Sequence, residues 1–184
     1  QETTALGSKG GDEVQLMSSL RKMKSRIAVA TALADLGGWW HCEKVTGILS
    51  EFADAALGAA IDFAFLSASY KQQFNLKDPA NPSINSGLIV LAMGKHGAHE
   101  LNYSSDIDLI LFYDERAAAG VIQTDPTTFF ARFAKLLVKL LQERTAEGYV
   151  FRVDLRLRPD ASVTPVCLSM EAAERYYESV GRTW

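Results

Sequence analysis

Two short and almost wholly apolar runs, LIVLAM at 88–93 and IDLILFY at 107–113, stand on either side of a glycine-bearing turn, GKHGAHELNYSSD. Each run is too short for a helix that could bury itself, and each is rich in residues that suit a pleated surface, so both read as strands. Unbroken apolar character, unlike alternation, implies a strand covered on both faces. The chain is thereby committed to a sheet with cover above and below, and the turn has to emerge where that sheet ends.

Helices supply the cover. Between Val14 and Leu36 the residues Leu16, Leu20, Met23, Ile27 and Ala30/Ala34 recur by threes and fours, which marks an amphipathic helix stopped by Gly37 and Gly38. A second helical tract, about Val45 to Leu66, carries Leu49, Phe52, Ala56, Ile61 and Phe65 among many alanines, a composition that favours close helix packing. Trp39, Trp40, His41 and Cys42 lie between the two helices and are expected to cover a helix turn. The run RKMKSR at 21–26 is expected to be a solvated face.

The polar stretch NLKDPANPSINSG at 75–87 separates this helical part from the strands. After the second strand, Asp125 and Pro126 offer an N-cap and a first helical residue, and Phe129, Phe133, Leu136/Leu137 and Leu140/Leu141 trace one face. The segment YVFRVDLRLRP alternates: Phe151, Val153, Leu155 and Leu157 on one side, Arg152, Asp154, Arg156 and Arg158 on the other, so it reads as a strand ended by Pro159. A last helix is expected from about Ser169 to Val180, and QETTALGSKGG at 1–11 reads as a frayed start. Residues 1–85 thus form a helical unit and linker, and 86–184 an α+β or α/β core.

Composition narrows the function. With 48% hydrophobic and 22% charged residues over 184 positions, the chain belongs to the globular class. A net charge of −3 gives no general basic field for nucleic acid. Cys42 and Cys167 stand far apart with no CxxC spacing, against a zinc ribbon. No run approaches the ~18 to 20 apolar residues of a membrane span, so a cytoplasmic setting without a membrane partner is expected.

Asp106 and Asp108 sit at i and i+2 where the second strand begins, so both carboxylates point to one face and could share a hard cation such as Mg²⁺. Two aspartates at a solvated strand end are an equally ordinary reading. Asp154 is the acid of the Arg-rich strand; if that strand lies beside 107–113, three carboxylates meet, as phosphoryl transfer with a pair of cations requires. Arg152, Arg156 and Arg158 would then hold phosphate oxygens, although an Arg/Asp alternation can also pair with itself on a solvent-facing sheet. Gly94 and Gly97 bracket Lys95 and His96, and glycines there allow a phosphate to approach the backbone, with N–H groups opening the next helix. Ser104 and Ser105 can donate to phosphate or cap the turn, and Glu100 is expected to pin it through backbone N–H groups. Neither a Walker motif nor GxGxxG is present. His96, His99 and Glu100 lack a third close ligand for a zinc site, and no role for the two histidines follows from the sequence.

The stretches LAMGKHGAHELNYSSDIDLILFYD and GYVFRVDLRLRP, followed by AAERYYESVGRTW, resemble the nucleotidyltransferase superfamily that includes DNA polymerase β, and within it the glutamine synthetase adenylyltransferase/adenylyl-removing family. The likeness runs from about residue 20 to the end. It implies an α+β fold, with a nucleotidyltransferase-type mixed sheet and flanking helices behind the α-helical unit. It implies Asp106, Asp108 and Asp154 as catalytic metal ligands for Mg²⁺, as one ion or a pair, and Gly94 with Ser104 and Ser105 as a phosphate turn. Family members join two such halves, so the chain reads as a fragment. ELNYSSDIDL and YYESVGR look like the amino-terminal half, which removes AMP from a tyrosine of glutamine synthetase by phosphorolysis, giving ADP; the other half adds AMP from ATP. Glutamine synthetase is the implied partner, and a PII-type signalling protein would act through the full-length enzyme. The adenylylating direction and a non-catalytic docking module stand as alternatives.

Overall fold

A computed structural model describes residues 12–180; the expected frayed start at 1–11 and the closing GRTW lie outside them. Helix α1 (Glu13–Leu36) begins at Asp12, whose side chain accepts the Val14 N–H at 3.2 Å. It ends at Gly37, and Gly38 then takes the left-handed φ of 69° that only glycine adopts freely. Helix α2 (Cys42–Tyr70) is longer at both ends than its apolar spacing indicates, and Ala53, Ala56, Ala59 and Ala60 are fully buried along it, as close packing requires. Trp40 packs against the core, while Trp39 is 78% exposed and lays its ring only beside Gly37 at the end of α1.

The sheet is centred on β2 (Ile107–Tyr113). Strand β1 (Leu88–Met93) runs antiparallel to it from Leu88↔Tyr113 to Met93↔Asp108. Along the other side of β2, β3 (Val153–Asp154) pairs in parallel with Ile107 and Asp108, and β4 (Cys167–Ser169) pairs in parallel with Leu111 to Tyr113. Between β1 and β2 lies a single helical turn, α3 (Gly94–Gly97); α4 (Glu115–Ala119) and α5 (Pro126–Gln142) follow β2, and α6 (Met170–Ser179) follows β4. The architecture is α+β, with a mixed four-stranded sheet.

Strand β2 is covered on both faces along most of its length, and the short β4 beside it likewise sends Cys167 into the main core and Leu168 into the opposite cluster. Ile107, Leu109, Leu111 and Tyr113 enter the main core with α1, α2 and α5, while Ile110 and Phe112 join Leu168 and Ala173 in a smaller cluster on the opposite face. Strand β1, expected to be buried on both faces, is an edge strand with Leu91 and Met93 exposed. The strand expected over 149–158 shrinks to two residues. After Asp154 the Arg156 N–H bonds back to the Asp154 carboxylate at 2.8 Å, and the chain turns away before rejoining β2 at Cys167.

The basic run also departs from expectation. Arg21 is fully buried: Nε donates to Gly148 O at 2.9 Å, one terminal nitrogen to Met17 O and Leu140 O, and the other to Glu143 O. Lys24 lies 4.5 Å above the Tyr149 ring. Arg21 and the half-buried Lys24 face α5 and the loop after it, while Lys22 and Arg26 are exposed. At the start of α5, Asp125 accepts the Thr128 N–H at 2.7 Å with Pro126 in the first turn, as its sequence indicates. No helix among the described residues is long and apolar enough to cross a membrane.

Candidate active site

Asp106 and Asp108 alternate with Ile107 and Leu109, whose burial in the main core turns the carboxylates to the other face of β2. Further along that face Ile110 and Phe112 are covered by β4 and α6; at the Asp108 end it lies open among the described residues. Asp154 arrives there on β3 as the register partner of Asp108. The result is an open basin of about 650 Å³ lined by Gly94, Lys95, Asn102, Ser104, Ser105, Asp106, Asp108, Arg152, Asp154 and Arg156. The fold therefore brings together nine residues that the sequence singles out, from three separate segments, and adds Asn102.

Arg158 is the exception. Its guanidinium turns back onto the carbonyls of Leu155 at 2.6 Å and Ala161 at 2.8 Å, away from the basin, because the chain has left the strand by then. Glu100 is exposed, and it is Asn102 that pins the turn: its Oδ1 accepts from the Ser104 N–H at 3.1 Å and from Ser105 Oγ at 2.9 Å. An Asn two residues ahead of a pair of serines is the sequence signal for such a turn. The helix after Gly94 is one turn long, too short for its dipole to add much for an anion.

Two arginines meet the outer carboxylates. Arg152 Nε donates to Asp106 Oδ1 at 2.5 Å, and another of its nitrogens donates to Ser104 O at 3.1 Å. Arg156 forks onto Asp154, with Nε 2.9 Å from Oδ2. These hydrogen bonds hold the Asp154 carboxyl below the usual carboxylate range and push both guanidinium groups further up. Asp108 goes the other way: partial burial raises it, and the neighbouring carboxylates of Asp154 and Asp106 raise it further. Among the described residues Asp108 has no cation at ion-pair distance.

Gly94 explains how the turn comes so close. With φ at 54°, it lies against Asp108, and a Cβ there would stand 2.5 Å from Asp108 Oδ2. A Cβ on Gly97 would press into the Ala92 carbonyl oxygen. Three hard carboxylates line one open basin, one of them without an arginine and raised by partial burial and by its neighbours, and oxygen donors are the type that a divalent cation takes. Among the described residues no three acidic, imidazole or thiol groups close on a single point, since each outer carboxylate is turned onto its arginine.

The chain matches the family model for glutamate-ammonia ligase adenylyltransferase over residues 3–184. It is 50% identical over 172 residues to a bifunctional glutamine synthetase adenylyltransferase/adenylyl-removing enzyme of Rhizobium meliloti (strain 1021), which covers 94% of this chain and 17% of that relative. Proteins of the same description from Xanthobacter autotrophicus and Agrobacterium fabrum are 49% and 51% identical, each over 174 residues, covering 95% and 94% of this chain and 18% and 17% of those relatives. The chain thus spans less than a fifth of the length of these relatives.

Proposed function

The chain belongs to the glutamate-ammonia ligase adenylyltransferase family, and we propose from that premise that it carries a Mg²⁺-dependent nucleotidyl-transfer site of the polymerase β-like type. In this reading residues 86–184 form the catalytic core, held by the helical unit of residues 1–85. The reaction is phosphorolysis of adenylyl-tyrosine on glutamine synthetase. A phosphate oxygen attacks the α-phosphorus, the P–O bond to tyrosine breaks, and ADP leaves with the tyrosine freed. The observation that carries this reading is the register pairing of Asp108 with Asp154 beside Asp106, in a basin that also holds Lys95, Arg152 and Arg156.

Asp106, Asp108 and Asp154 would hold Mg²⁺, which supplies charge neutralisation for the phosphoryl oxygens. Lys95 and the two arginines bind the attacking phosphate: a guanidinium fork matches two phosphate oxygens, and both guanidinium groups are themselves exposed, Arg152 held by Asp106 and Ser104 O and Arg156 by Asp154. Asn102 fixes the serine turn so that the Ser104 and Ser105 hydroxyls border the same basin. Gly94 keeps Cβ bulk out of the space between phosphate and Asp108. Control by a PII-type signalling protein belongs to the full-length enzyme in this reading.

Two substrates test the direction. Adenylylated and unmodified glutamine synthetase are offered separately, each with Mg²⁺ and either inorganic phosphate or ATP. Release of ADP from the adenylylated form with phosphate is expected. AMP incorporation into the unmodified form from ATP would assign the opposite direction, and inertness toward both would leave a docking module.

A further inference from the structure

Of the two histidines in the glycine turn, His99 is exposed and His96 is 2% exposed. The tight approach of Gly94 and Gly97 to the sheet presses the intervening side chain inward. There His96 Nε2 lies 2.8 Å from Asp54 Oδ1 on α2. One helical turn earlier, Ser50 Oγ accepts the Leu101 N–H at 3.3 Å. Residues four apart share a helix face, so one face of α2 grips both ends of the 96–101 segment. That segment leads from Gly94 to the Asn102 turn and on to Asp106. Within it Ala98 N–H meets Gly94 O at 3.1 Å and Glu100 N–H meets Lys95 O at 2.8 Å, Gly97 lies against the Ala92 carbonyl, and Leu101 is buried in the core, so the polar ties to the rest of the fold are those to α2.

The imidazole has no second anchor. Its Nδ1 is buried with no partner among the described residues, so the bond to Asp54 alone fixes the ring polar-wise. Facing a carboxylate, Nε2 is the nitrogen that donates. Asp54 is about half exposed, so this bond can be deleted without opening the core.

We propose that His96 is a positioning residue: with Asp54 and Ser50 it fastens the glycine turn to α2 and thereby sets where Lys95 and the Gly94 backbone meet phosphate. The inference rests on the phosphate reading of the basin. It makes α2, distant from the carboxylates in sequence, a handle on the site.

The test uses the 184-residue chain and the variants D54A, D54N, H96L and H96Q. Amide hydrogen exchange is followed by NMR at residues 98–101, with α5 amides as the internal control, and inorganic phosphate is titrated without metal while the Gly94, Lys95 and Gly97 amides are observed. D54A and H96L are expected to speed exchange at Ala98, Glu100 and Leu101 by about tenfold, with α5 unchanged, and to weaken phosphate binding by a similar factor. D54N keeps an acceptor and H96Q a donor, and both are expected to stay within about twofold of the unaltered chain. Unchanged exchange and phosphate binding in D54A, whose exposed site cannot cause misfolding by cavity formation, would overturn the proposal, as would loosening that spreads equally to α5. If D54A loosens only 98–101 but the unaltered turn ignores phosphate, the anchoring stands and it is the phosphate reading of the basin that falls.

Discussion

Asp108 and Asp154 oppose each other across a parallel ladder, and the fold treats them in opposite ways: Asp154 is held low by its hydrogen bonds from Arg156, while Asp108 is raised by burial and by Asp154 itself. Asp108 lies beside two further carboxylates and has no cation at ion-pair distance among the described residues, so its charge opposes folding, and in the proposed reading the same carboxylate would hold the metal. Asp108→Asn is therefore expected to abolish turnover, by about 10²-fold or more, while raising the melting temperature by about 1–3 °C. A raised carboxyl means that the folded chain holds its proton more tightly than the unfolded chain. The penalty at Asp108 is thus fully present above its folded pKa and fades as pH falls toward the ordinary aspartate value. The stabilising effect of the substitution should shrink on acidification, which melting curves across pH 3.5–8 check (a window of about that width spans both carboxyl limits).

Asp154 supplies the converse. Its depressed pKa contributes stability above the usual aspartate range, lost as pH falls through the lower folded value. Asp154→Asn should match Asp108→Asn in lost turnover but not raise the melting temperature. A parallel rise in both variants, measured by calorimetry at pH 7, would contradict the assignment of opposite environments.

Arg156 and Arg158 look alike in the sequence and differ in the fold. Arg156 is 85% exposed at its side chain, so Arg156→Ala should lower stability only slightly, through the lost hold on Asp154, while raising KM for phosphate about tenfold. Arg158 satisfies backbone carbonyls of the 155–164 turn, so Arg158→Ala should cost about 1–3 kcal/mol of stability, with a smaller effect on KM. Urea unfolding and steady-state kinetics on the two variants separate the roles.

Gly94 and Gly58 form a second contrast. At Gly94, alanine would adopt a left-handed backbone at a cost of about 1–2 kcal/mol and displace the Asp108 carboxylate. Gly94→Ala should therefore lose both stability and activity. Gly58 lies within α2 with no atom near its would-be Cβ, so Gly58→Ala should stabilise the chain by about 0.5–1 kcal/mol and leave activity alone. Thermal melts and turnover of the pair check both.

The basin was legible because its parts are local: DxD at the mouth of an apolar strand, glycines before it, and an Arg/Asp segment whose alternation exposed Asp154. The pairing of β3 with β2 was a condition in the sequence and a fact only in the fold. What stayed hidden depends on long-range packing. His96 carries no sign that Asp54 waits on α2, and β1 reads as fully buried because apolar composition does not reveal which strand lies at an edge. The alternation of 149–158 overstated the strand because Arg156 binds Asp154 two residues away instead of a neighbouring strand.

Arg21 departs furthest from what its sequence setting implies, and it yields the largest expected stability effect. Inside a basic run it looks solvated, yet it joins α1 to the end of α5 and the 143–148 turn through carbonyls of Met17, Leu140, Glu143 and Gly148. Burial lowers its pKa, opposed by the nearby Glu143 and Glu147 charges, and a guanidinium starts so far above neutrality that it stays charged. Arg21→Met fills much of the same volume but leaves those carbonyls unpaired, at an expected cost of about 3 kcal/mol or more. Lys22→Met, next to it but largely exposed, should change stability by less than about 0.5 kcal/mol. Urea midpoints of the two variants decide: equal small shifts would return the run to a solvated face.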